Sequence, residues 1–214
     1  CVGGVTCTIT VNTAVAVQSI AMGTCTASTT GCILDFAAND NAVTLSTNFS
    51  LSGSGTRRLD MGDGTWTFTN VGSTTMWDAT TTTNLTFNSN ASTILFSATA
   101  TGSRSFIGGN LPYNSFTITN AAANNRLCSF TASGATFANI TFTNVKYVTL
   151  TSGITITVTG TFTYDGTSAA PGVLTSSVGS TATISVANAT TLNWLTIMGI
   201  TKAGAGSIAA VNAY

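Results

Sequence analysis

The chain has 214 residues, 43% of them apolar and only 6% charged, with six acidic residues balancing six basic ones and no histidine. Without His there is no Ser-His-Asp triad, no Cys-His pair and no imidazole metal ligand, and without a basic field there is no electrostatic footprint for nucleic acid. Roughly a fifth of the residues are Thr and none is Glu, so β-branched strand formers dominate and a helical protein is not expected.

The length suits one elongated domain spanning residues 1–214, with enough apolar side chains to bury a core. No apolar run is long enough to cross a membrane as a helix, so membrane insertion is not expected. The chain begins at Cys1 and not at Met, which leads us to expect a processed protein or a piece of a longer one. A lipoprotein-type N-terminal Cys fits less well, because a strand pattern begins by Val5 with no polar tether before it.

In chain order, Val5–Val11 alternates apolar and polar residues strictly, the signature of a half-buried strand. Five cysteines follow the odd series Cys1, Cys7, Cys25, Cys32 and Cys128. Cys25 and Cys32 flank a turn-rich stretch and could face each other across it. The simpler expectation is small apolar side chains in strands, reduced as in a cytosol. A zinc site would need four of these thiols to converge and is not expected. Next, Arg57-Arg58 should send one side chain outward and the other inward, or sit at a turn. The alternation then resumes at Trp66-Thr67-Phe68, Leu85-Thr86-Phe87, Phe116-Thr117-Ile118 and Ile140-Thr141-Phe142, and runs longest over Ile154–Tyr164. Ile154, Ile156, Val158 and Phe162 are therefore predicted inside, with Thr155, Thr157 and Thr163 outside.

Asn-led strands begin at Asn84, Asn114, Asn139 and Asn193; the first three are about 25 to 30 residues apart, and the last gap is about double. Between these markers lie further short apolar segments: Thr93–Phe96, Ser105–Ile107, Leu127–Phe130, Ala135–Phe137 and Val148–Leu150. Three short strands in a period of this size describe one coil of a right-handed parallel β-solenoid, with about eight coils in all. The rival is an antiparallel β-sandwich, which also uses short alternating strands. The recurrent Asn and the lack of Asn-Gly hairpin turns favour the solenoid. That fold also accounts for the missing charges, because like charges stacked at about 4.8 Å in successive coils would repel.

Each candidate for chemistry has a plainer reading beside it. Carboxylates are the only catalytic option, and the six are Asp35, Asp40, Asp60, Asp63, Asp78 and Asp165. Glycoside hydrolysis needs two carboxyls at a set separation plus sugar-binding aromatics, and Asp63-Gly64 and Asp165-Gly166 read as turns, so no catalytic residue is assigned. Asp60 and Asp63 are weak candidates for calcium, lacking both EF-hand spacing and a β-roll repeat. Trp66 has core parity. Trp77, beside Asp78 in a polar Thr tract, is the best candidate for an exposed sugar platform, although a ring covering the end of a coil fits the pattern better. The sequons at Asn48, Asn84, Asn90, Asn139 and Asn188 are no more than chance gives in so Ser- and Thr-rich a chain. No cofactor is expected. An uncovered strand edge recruits another chain, so the ends are expected to be covered by neighbours in an assembly.

The order Gly62-Asp63-Gly64-Thr65-Trp66-Thr67, then Trp77-Asp78, then Thr83-Asn84-Leu85-Thr86-Phe87, then Gly108-Gly109-Asn110-Leu111-Pro112-Tyr113-Asn114 resembles the Thr- and Gly-rich β-solenoid segments of tailed-bacteriophage virion surface proteins. The resemblance spans most of the chain and is firmest over Asp60–Thr119. Asp60 and Asp63 stand where Asn is common, and Asn110 replaces the third Gly of a GGG run; all remain turn-competent. The resemblance implies a non-enzymatic structural part of a virion, a fibre or decoration protein on its surface, made in the bacterial host cytoplasm. Its implied partners are other virion proteins and copies of itself, as a homotrimer or fibre, and a host surface glycan. The alternatives are a carbohydrate-binding or depolymerising tail spike, and a secreted adhesin or filament subunit.

Overall fold

A computed structural model describes residues 7–22, 31–70, 72, 74–97, 102–119, 127–131 and 134–212. They form twenty-four strands and, among the described residues, no helix. The strands assemble into three sheets of four, twelve and eight strands, here A, B and C. Neighbours in each sheet come from successive coils and pair in parallel: Cys7 with Cys32 with Arg57 with Leu85 in sheet A, and Phe49 with Trp77 with Phe106 with Phe130 in sheet C. The one antiparallel bridge among the described residues is the isolated Thr167–Ala170 contact. The chain is thus a right-handed parallel β-solenoid of about seven turns, slightly fewer than expected, and not a sandwich.

Period two decides what lies inside. In sheet B one inward column runs Val43, Trp66, Ile94, Phe116, Ile140, Phe162, and the next runs Leu45, Phe68, Phe96, Ile118, Phe142, Tyr164. All twelve are buried. Ile154, Ile156 and Val158 are buried too, and Thr155, Thr157 and Thr163 lie on the partly exposed face, as predicted. Stacking at about 4.8 Å brings equivalent rings together. Trp77 stacks on Phe49 and Phe106 at 4.9 and 6.1 Å between centroids, and Phe106 meets Phe116 at 4.8 Å. Such ring pairs each add about 0.5–1.5 kcal/mol beyond the area they bury.

The Asn markers do not share one column. Asn84 precedes a strand of sheet A, Asn114 and Asn139 sit inside long strands, and Asn193 pairs with Asp165. The coil is also less uniform than three strands per turn. Sheet A ends at Leu85–Asn88. In the next two coils single eight-residue strands, Pro112–Thr119 and Thr136–Thr143, replace two short strands and the corner between them. Sheet-C partners shift accordingly: Phe49 pairs with Trp77 and then Phe106, 28 and 29 residues on, but Phe130 and Leu150 follow after only 24 and 20.

The cysteines correct the expectation of reduced thiols. Cys7 and Cys32 each take part in a disulfide. Cys128 is a free, buried thiol beside Arg104, and burial pushes its pKa up to about 12 despite the nearby guanidinium. Cys1, Cys25 and the turn after Cys25 lie outside the described residues.

Candidate functional site

The richest polar constellation follows the corner between sheets A and B. The side chain of Asp40 accepts a hydrogen bond from the backbone N–H of Asp63 at 2.8 Å, and that of Asp63 accepts one from Ala91 at 2.8 Å. Each carboxylate thus caps the equivalent turn of the following coil. Asp40 and Asn90 hold left-handed φ values of 50° and 47°, which short Asx side chains tolerate. Gly62 has φ 68°, and a Cβ there would lie 2.8 Å from the carbonyl oxygen of Phe36. The Gly-Asp-Gly run is therefore a requirement of coil stacking.

Asp60 sits one strand away, 3% exposed, in the sheet-A column Asp35–Asp60–Asn88. It pairs with Arg58 at 2.7 Å and accepts a hydrogen bond from the Asn88 amide. Asp60 and Asp63 thus belong to two separate ladders, and their charge is answered by protein groups. Among the described residues no group of three His, Cys, Asp or Glu could hold a metal ion. The arginine pair splits as expected: Arg58 is half exposed and Arg57 is 1% exposed. Arg57 faces no carboxylate; its guanidinium donates to the carbonyls of Leu51, Gly55, Thr81 and Thr83, tying together the loops of two coils.

Trp77 and Asp78 part company. Trp77 is fully buried, and its indole N–H donates to Tyr113 Oη at 2.9 Å, which in turn donates to the carbonyl of Gly108. It is neither an exposed platform nor the cover of an end coil. The cause is a β-bulge: Ser105 pairs with Thr75 while Phe106 pairs with Trp77, so the strand gains one residue and both Met76 and Trp77 point inward. Asp78 stays outside, where it accepts bonds from the Thr80 hydroxyl and amide and from Ser52 Oγ. Partial burial would raise its pKa, but these hydrogen bonds outweigh that and hold it below the usual carboxylate value.

The other carboxylates are engaged in the same local way. Asp35 accepts from the Ala37 amide, and Asp165 from the side chain of Asn193, one coil on. Sequence reasoning found the turn Asp residues but missed the two Asp-to-Asn ladders, Asp60–Asn88 and Asp165–Asn193. Their shared spacing of 28 residues was the available signal.

The described surface includes two recesses. One is apolar and of about 300 Å³, lined by Cys7, Ile9, Ile20, Met22, Ile33 and Leu34 at the first coils. The other, of about 190 Å³, lies over Ile33, Arg58 and Thr86 on the outside of sheet A. Comparisons with protein-family models, with curated proteins and with solved structures found no match.

Proposed function

We propose that this chain is a non-enzymatic structural rod, a fibre or surface component of a tailed-phage virion that works beside other virion proteins and copies of itself. The observation that carries the reading is that all six carboxylates are engaged in holding turns and strands. A retaining or inverting glycosidase needs two carboxyls converging on an open cleft, with one free to take up and release a proton. The virion assignment rests on the motif order from Gly62 to Asn114, and host-glycan contact would fall to the exposed loops. Purified virions carrying this sequence, probed with antibody against the chain, should label at the particle surface. Label absent from intact particles overturns the assignment. Cleavage of a capsular or cell-wall polysaccharide, lost on Asp60→Asn or Asp78→Asn, overturns the non-enzyme reading.

A second reading, a secreted adhesin or filament subunit, draws on the disulfide-bonded Cys7 and Cys32, since such bonds persist in oxidising surroundings. Secretion of the chain by a cell free of phage would favour it.

A further inference from the structure

The outer face of sheet B takes part in none of these ladders except at its far end. Three outward columns cross it, fixed by the strand register. The first is Thr65, Thr93, Ser115, Asn139; the second Thr67, Leu95, Thr117, Thr141, Thr163; the third Thr119, Thr143, Asp165, with Thr69 and Ser97 just after the paired Phe68 and Phe96. All are partly or fully exposed. The hydroxyls of Thr65, Thr67, Thr93, Thr117, Thr119, Thr141, Thr143 and Thr163 make no hydrogen bond within the protein, whereas Thr69 donates to the carbonyl of Leu45. No charged residue enters the first two columns, and none of the three holds an aromatic ring. The described charges on this sheet are Asp165, at the end of the third column, and Lys202, on a strand of the last described coil; the others sit on sheet A, at corners or on sheet C.

The result is a two-dimensional array. Its hydroxyls and methyls repeat at about 4.8 Å from coil to coil and at roughly 6.6 Å along each strand. Thr is stiff at χ1, and the backbone beneath is a continuous hydrogen-bonded ladder, so the array loses little freedom when something settles on it. A charged or flexible ligand finds no complement here. Sugar rings find no face to stack on. An uncharged lattice of hydrogen-bonding groups with nearly the same two repeats does find one, and the faces of hexagonal ice are such a lattice. Methyls would sit over the cages of the outermost water layer while hydroxyls replace lattice waters. Leu95 and Asn139 interrupt the array without adding charge.

We propose that the outer face of sheet B binds ice through its Thr columns, independently of the structural role proposed above. Binding to a solid sums many weak contacts, so a bulky charge at the centre should lift a large area off the lattice.

The test uses the full chain. Ice growth is watched in a supercooled droplet, and partition of fluorescently labelled protein into a slowly growing ice hemisphere is measured. Wild type should facet the crystal, hold a gap between melting and growth, and enter the ice. Thr117→Lys and Thr141→Lys should cut that gap by an order of magnitude while the far-ultraviolet spectrum and melting temperature stay unchanged. Thr149→Lys, on the outer face of sheet C, is the control and should leave the gap intact. Three results overturn the proposal. Wild type could behave like an inert protein of equal size. Thr149→Lys could weaken ice binding as much as Thr117→Lys does. Light scattering could show a multimer that Thr117→Lys dissociates, which would assign the face to a second copy. Should a Lys variant fail to fold, Thr117→Val and Thr141→Val, which keep the shape and remove the hydroxyls, must still lower the partition.

Discussion

The solenoid is two constructions in series. Up to Leu85–Asn88 the coil has three sides, with separate strands in sheets A, B and C. Its interior is filled by Phe36, Phe49, Trp66, Phe68, Trp77 and Phe96, and all the described buried polar or charged residues, Arg57, Asp60, Ser92 and Arg104, lie in or beside this part. Beyond Tyr164 the buried side chains are Leu174, Ala182, Ile184, Val186, Leu192 and Leu195, and the buried charges are gone. The two parts differ in the side chains that fill them and in the polar groups they bury, not in the length of chain per coil: Arg57 to Leu85 and Ile156 to Ile184 both span 28 residues. Corners carry backbone groups that need partners. Arg57 and the Asp40–Asp63 ladder are those partners. In the later coils Asn side chains take that role: Asn188 donates to the carbonyls of Thr159 and Gly160, and Asn193 to Asp165.

The ends differ as well. At the first coil Ile9 and Val17 are 60% and 39% exposed. In the last described coil the Ile156–Ile184 register continues to Lys202, which is exposed and whose ammonium donates to the carbonyl of Gly204.

Breaking the ring-filled part should cost most. Trp77→Ala removes the ring that joins Phe49, Phe106 and Tyr113, and should cost about 3–5 kcal/mol in urea unfolding of the whole chain, against about 1 kcal/mol for Ile184→Val in the aliphatic part. Equal costs would remove the distinction. Arg57→Met should come next, at about 3 kcal/mol, because four carbonyls lose a charged donor, while Arg58→Ala should cost less than about 1 kcal/mol as a half-exposed ion pair. A smaller loss, about 1 kcal/mol, is expected for Asp63→Ala, which uncaps Ala91; hydrogen exchange should show the corner at 89–91 opening first.

The smallest effect is a pH dependence. The pKa of Asp78 lies below its unfolded value, so its contribution is fully present above the unfolded pKa, about 4, and is lost as pH falls through the folded value. Acid unfolding of Asp78→Asn should therefore begin less steeply than that of wild type; a matching slope would mean that the hydroxyl cluster around Asp78 does not stabilise the carboxylate. In the reverse sense, Cys128 should resist thiol reagents at neutral pH until the chain unfolds, since burial holds its pKa near 12. Rapid labelling of native protein would show that the coils around it open readily.

The fold class was legible in the residues alone. Period-two alternation with Thr on one face admits few structures, and the inside or outside of Trp66, Ile156 and Thr157 follows from parity alone. The sequence also located the turns, because Asp-Gly and Asn carry their backbone preference locally. What escaped it were features set by a neighbouring coil. One extra residue opposite Phe106 turned Trp77 from an exposed platform into the centre of the core, and no parity count within that strand could show it. The Asn residues looked like one marker but stand at different places in the coil: Asn84 before a sheet-A strand, Asn114 and Asn139 inside sheet-B strands, and Asn193 at a strand end beside Asp165. The roles of Asp60 and Asp63 likewise came from the groups that stacking places above and below them: a carboxylate's chemistry depends on its neighbours in space, and in a solenoid those neighbours are a whole coil away in sequence.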